Sequence, residues 1–184
     1  ASITKQSNGY RELFYSLWTQ LFDESEDRHT LDILQECANI AYSDELENLL
    51  LEKLFGSLSY LKQCYIFGIL SRVTSHLGNY LTQLLEIFSN LLQTLNVEGI
   101  EGQSTSLALF IISLLQEYPN LSSVSIYPLL RQVLRALYLD EQSQSDLTRL
   151  TVGYILTILS SNQQLYESVL STDSFMSITL QTIS

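Results

Sequence analysis

The chain has 184 residues, 46% of them hydrophobic, and 20 Asp and Glu against nine Lys and Arg, for a formal net charge of −11. That is apolar enough for one ample core or a short stack of repeats, and it excludes a chain disordered by composition. The acid excess opposes nucleic acid and anionic membrane surfaces, which carry the same sign of charge, unless the few basic residues cluster.

Seven Gly and two Pro leave few positions for tight turns, and Leu recurs in runs such as "LLLEKLF" and "ALFIISLLQ". An all-α chain is expected, because apolar residues recur at steps of three and four. Leu13, Leu17 and Leu21, with Phe14 and Trp18 beside them, predict a first helix over about 10–22. Thr30 is the expected cap of a second, carrying Leu31, Leu34, Ala38 and Ala41. Ser43 followed by Asp44 and Glu45 opens a third that runs to about Gly56, with acids over the positive end of the dipole. A long fourth is predicted over about 59–76, and a fifth after Gly78 and Asn79.

"NVEGIEGQ" (96–103) then breaks the pattern with two glycines and two acids, and reads as a loop. A sixth helix ends at Tyr118, before Pro119, and a seventh begins near Ile126 with Pro128 in its first turn. "DEQSQS" (140–145) is a further loop, Ser143-x-x-Asp146 resembles a capping box for an eighth helix, and two shorter helices end the chain. About ten helices with short joints imply antiparallel neighbours.

The helices fall into a rhythm. "LQECANIAYS", "IFGILSRVTSH", "LFIISLLQEYP" and "VGYILTILSSN" read as the last turns of second helices in a pair, at spacings of about 33, 42 and 43 residues. Small residues (Ala38, Gly68, Gly153) recur in these segments, and "YLTQLLEIFSNLL" matches "YPLLRQVLRALYL" in pattern. In this respect the chain resembles the HEAT and armadillo α-solenoids, although the Asp and Arg pattern of a regular HEAT repeat is absent. The resemblance implies stacked antiparallel helix pairs in one domain over 1–184, whose inner helices hold peptides or protein domains. A compact helical bundle is the alternative. The start, "ASITKQSNGY", lacks both an initiating Met and an apolar run, so the chain reads as a segment of a longer protein without a signal peptide.

The most charged stretch, "LFDESEDRHTLD" (21–32), holds Asp23, Glu24, Glu26, Asp27 and Asp32 with Arg28 and His29. As a calcium loop it would place Arg28 where Gly is needed and Leu34 where a bidentate Glu is needed. One His beside acids does not make a zinc or di-iron set. The stretch is expected to be a solvated acidic loop, with contact to a basic partner as a secondary role.

His29 and His76 are the only imidazoles, and no G-x-S-x-G elbow, H-E-x-x-H pair or phosphate loop occurs. "GIEG" (99–102) has the letters of a phosphate clamp but would set a Glu against phosphate. No enzyme, cofactor or metal is expected. Cys37 and Cys64 lie in apolar patterns and read as reduced, buried thiols. With no apolar run near the length of a membrane span, the expected setting is intracellular, cytoplasmic or nuclear.

What is left is surface. Lys62, Tyr65, Ile69, Arg72 and His76 follow steps of three and four and so share one face of the predicted fourth helix. Arg131, Arg135 and Tyr138 share a face of the seventh, and Arg149 lies early in the eighth. Together they predict a positive strip suited to an acidic or phosphorylated peptide, set against the plainer reading of solvated faces balancing nearby acids. The expected function is a non-enzymatic scaffold binding a partner protein's peptide or helix, with no nucleic acid and no membrane. The second expectation is a structural repeat segment or a self-association module.

Overall fold

The computed structural model describes residues 2–94, 103–118 and 133, with side chains from 9 onward except at 104 and 105. These residues form six α-helices and no strand. The helices are α1 (Ser2–Glu24), α2 (Arg28–Ile40), α3 (Asp44–Phe55), α4 (Tyr60–Leu70), α5 (Leu81–Gln93) and α6 (Ser104–Glu117). Three- and four-residue links join the first four. The expected all-helical class is what is found; the seventh and later helices fall outside the described residues.

Local chemistry sets the helix starts. Ser43 caps α3 by accepting from the Leu46 amide, and Ser59 caps α4 by accepting from the Lys62 amide. At α2 the expected cap is off by one turn: Asp27 is the cap, and Thr30 sits inside the helix, donating its amide to the Asp27 carboxylate at 3.2 Å and its hydroxyl at 2.9 Å. Asp27 wins because a carboxylate in extended backbone reaches the free amides of the first turn with full negative charge at the positive dipole end.

α4 ends at Leu70, well short of the expected boundary near His76. Ser71 turns its hydroxyl back onto the Gly68 carbonyl at 2.7 Å, and the next amides bond three residues back, Arg72 to Ile69 and Val73 to Leu70. Two 3-10 turns follow, over Thr74–His76 and Gly78–Tyr80. The tightening drives Leu77 into the core, fully buried, which a continued helix would not do. α6 clamps this turn: the Tyr118 hydroxyl donates to the Thr74 carbonyl at 2.8 Å, and Thr74 Oγ1 donates to the Ser113 carbonyl at 3.4 Å.

The core gathers on α4. Cys64 through Leu70 are buried without interruption, as expected of a short helix that is apolar on all sides. α4 packs against α2, α3 and α6. Gly68 sits at the closest approach, since a Cβ there would collide with the Gln35 amide and touch Ser106. Phe67 meets Phe110 at 4.7 Å and Phe88 at 5.3 Å between ring centroids, so one aromatic trio joins α4, α5 and α6. Val133 also belongs to this core.

Replacing Phe67 by Ala removes the ring common to three helices and is expected to cost about 3–5 kcal/mol. Leu109→Ala, at a position 40% exposed, is expected to cost less than about 1 kcal/mol. Urea unfolding followed by circular dichroism checks both; equal midpoints would contradict the packing described.

Candidate functional site

The acidic stretch between α1 and α2 is joint hardware, and most of its acids have partners. Asp23 carboxylate accepts from Lys53 Nζ at 2.6 Å, and the Asp23 carbonyl, at the end of α1, accepts from Lys62 Nζ at 2.9 Å. Lys62 also pairs with Glu26 at 3.2 Å. Both ammonium groups stand within 6 Å of the Phe22 ring, at 5.9 and 5.7 Å, close enough for cation–π attraction. Asp27 caps α2, and its carboxyl is held below its ordinary value of 3.8, chiefly by the Thr30 hydroxyl and then by the Thr30 amide. Asp32 accepts from the Tyr65 hydroxyl at 2.6 Å. The stretch is therefore not simply a solvated loop.

This geometry dissolves the single face expected on the fourth helix. Lys62 and Tyr65 are buried, 5% and 2% exposed, with their polar ends spent on Asp23, Glu26 and Asp32. Burial, reinforced by the Asp32 carboxylate, pushes the Tyr65 hydroxyl above its ordinary range. Arg72 is exposed but lies beyond the end of α4, and His76 lies in the 3-10 turn. The expected strip required a helix continuous through 76, and Leu77 claims the core instead. Arg131, Arg135, Tyr138 and Arg149 fall outside the described residues.

His76 has a different partner. Its Nδ1 lies 3.2 Å from Glu47 Oε1, which also accepts from the Tyr42 hydroxyl at 2.7 Å. Burial, with Glu47 adding to it, raises the Tyr42 hydroxyl above its ordinary range. Asp44, one turn before Glu47, completes a group of three. The i, i+3 spacing of Asp44 and Glu47 was visible in the chain, but nothing linked His76 to them across 29 residues.

Among the described residues, α1 carries a run of exposed apolar side chains. Tyr10, Leu13, Leu17 and Leu21 follow steps of three, four and four and are 71%, 65%, 54% and 41% exposed. Trp18 and Phe22, one position further along, turn inward: Trp18 stacks on Phe22 at 4.8 Å and donates its indole N–H to the Leu34 carbonyl at 2.8 Å. Neighbouring positions differ by about 100° around a helix, so α1 carries two adjoining apolar stripes and the core covers one of them. On α2, Ile33 and Ile40 are also exposed. The signal for this face was the doubling itself, 13/17/21 beside 14/18/22, which is more apolar surface than one helix docked on one core can bury.

Other features offer less. A shallow cleft of about 380 Å³ between Phe55, Tyr60, Gln63 and Asn90 presents amides and aromatic edges but no acid, imidazole or thiol. Cys37 and Cys64 are free thiols, and burial pushes Cys64 up to about 12, which leaves it unreactive. Among the described residues no helix is long and apolar enough to cross a membrane. Comparison with protein-family models, curated proteins and solved structures finds no match to this chain.

Lys62→Ala is expected to cost about 1–3 kcal/mol, because it removes a buried side chain together with the donor to the part-buried Asp23 carbonyl. Lys53→Ala, whose carboxylate partner is half exposed, is expected to cost less than about 1 kcal/mol. A Lys62 serving only as a partner contact would leave the unfolding midpoint unchanged. For Asp27, a carboxyl depressed in the folded state contributes stability above its unfolded value and loses it as pH falls through the folded one. The melting-temperature gap between parent and Asp27→Ala should thus be full at neutral pH and close below 3.8; a gap that stays constant would contradict the cap.

Proposed function

We propose that this chain is a non-enzymatic protein-interaction module that seats an amphipathic helix of a partner protein along the outer face of α1. The observation that carries the reading is the stripe Tyr10, Leu13, Leu17 and Leu21, bare on a helix whose adjoining stripe is anchored in the core. At 1.5 Å per residue the stripe runs roughly 16 Å, about three turns, the length over which helix-in-groove contacts place their anchors. Burial of the four side chains supplies the affinity. Charge selects the occupant: the stripe runs into Asp23 and Glu24, both exposed, on a chain of net charge −11, so a helix with Lys or Arg flanking its apolar face is favoured and an acidic one is repelled. This partner differs in sign from the acidic peptide expected of the strip through Lys62.

The repeat-stack reading belongs to the same proposal. Short links between successive helices support it, and so does a first helix with a second apolar stripe, the surface that an adjacent repeat covers in a solenoid. Self-association is the second reading, and it has its own observation. If two copies of α1 cross antiparallel at Leu17, Leu13 of each faces Leu21 of the other, which makes the stripe self-complementary.

The test uses the full chain and three probes. Fluorescence anisotropy reads binding of two model amphipathic peptides sharing one Leu face, one with Lys flanks and one with Glu flanks. Sedimentation velocity over a concentration series reads self-association. The Lys-flanked peptide is expected to bind, and Leu13→Glu/Leu17→Glu to weaken it at least about tenfold at an unchanged melting temperature. Equal binding by parent and variant overturns the proposal. A dimer in the parent that the same variant abolishes, with neither peptide bound, moves the conclusion to self-association.

A further inference from the structure

The geometry points to a zinc site at the junction of α3 and the first 3-10 turn, with Asp44, Glu47 and His76 as ligands and the fourth position open to water. The three side chains bring one ligand atom each to within 4.8 Å of one another. They come from two segments: Asp44 and Glu47 from adjacent turns of α3, and His76 from the turn that α6 clamps through Tyr118. None of them belongs to the α1 surface, and the inference stands apart from the reading given there.

Glu47 carries the argument. The residue is buried, at 9% exposure. Among the described residues no Lys or Arg pairs with it; its contacts are the Tyr42 hydroxyl and His76 Nδ1. His76 supplies a cation to Glu47 only when its ring is protonated, whereas a metal ion brings positive charge that does not depend on that proton. Zn²⁺ supplies it: two carboxylates and a neutral imidazole around a dication give a neutral cluster. The positive end of the α3 dipole opposes a cation there, and two carboxylates exceed that half-charge. A nitrogen donor argues against calcium and magnesium, which take oxygen ligands. One imidazole with two carboxylates lies within the ligand chemistry of zinc.

The distances are compatible with closure. Zinc bonds of about 2.0–2.2 Å in a tetrahedron set ligand atoms roughly 3.4 Å apart. Asp44 and His76 are the exposed members and are free to move the remaining ångström or so, while Glu47 stays fixed. Tyr42 donates its hydroxyl to Glu47 Oε1, an outer-shell contact of the kind that orients a ligating carboxylate. Bound zinc would fasten the start of α3 to the turn after α4 and so stabilise the fold.

Calorimetric titration of the full chain with Zn²⁺ alone, beside Co²⁺ titration followed by visible absorption, tests the site. One equivalent is expected to bind, with the intense visible band of low-coordinate cobalt and a raised melting temperature. His76→Ala and Asp44→Asn alter exposed groups, and circular dichroism verifies their folding; each is expected to weaken zinc at least about tenfold and to remove the band. Tyr42→Phe should weaken zinc by about 10–100-fold with the band retained. Cys37→Ser should change nothing. Absence of saturable binding overturns the site, as does affinity unchanged in His76→Ala or lost only in Cys37→Ser.

Discussion

The constraint on which the structure rests is the unbroken burial of α4 from Cys64 to Leu70. A helix of eleven residues is marginal in water on its own, and one that is apolar on every side has no face to give to solvent. It exists because α2, α3 and α6 surround it, and those helices are positioned by that demand. Gly68 is where the demand is sharpest: with no side chain of its own it admits the Gln35 amide from one side and Ser106 from the other. Each large side chain buried there contributes about 1.5–3 kcal/mol against the entropy of ordering the chain.

Burying Lys62 on such a helix has its own logic. The ammonium stands over the Phe22 ring and donates to the Asp23 carbonyl at the carboxyl end of α1, where helix-end carbonyls present partial negative charge. Asp27 performs the opposite service three residues after Glu24, accepting amides at the amino end of α2. A link of three residues thus joins two helix ends of opposite polarity, and the densest run of charge in the chain is spent neutralising both. The acids of the segment stay exposed to solvent, and three of them, Asp23, Glu26 and Asp27, also have partners at this joint.

Much of the fold was legible in the chain. The helical class, the Ser43 cap and the end of α6 before Pro119 followed from periodicity and capping chemistry, which are local. α1 reaches further toward the amino end than its apolar pattern, because polar residues extend a helix without leaving a period to read. The end of α4 was not legible: Lys62, Tyr65, Ile69, Arg72 and His76 keep helical spacing, and the decision to break after Leu70 belongs to Leu77 and its place in the core. A charge or hydroxyl on a helix usually marks surface, but Lys62 and Tyr65 are buried, and their partners, Asp23 and Asp32, lie more than 30 residues away. The contact of His76 with Glu47 is invisible for the same reason. The bare stripe of α1 was in plain view as Leu13, Leu17 and Leu21, but periodicity reports that a face is apolar and not whether anything covers it.

The packing of Trp18 has a spectroscopic consequence. It is the only tryptophan in the chain, stacked on Phe22 and hydrogen-bonded through its indole to the backbone of α2. Its emission therefore reports one event, the seating of α1 on α2, and should be blue-shifted while that junction is closed. Circular dichroism averages over every helix, and this indole does not. Partial unfolding that frees α1 while α4 stays enclosed would appear as a fluorescence transition preceding the loss of helical signal, so the chain carries its own probe of whether its first helix leaves independently of its core.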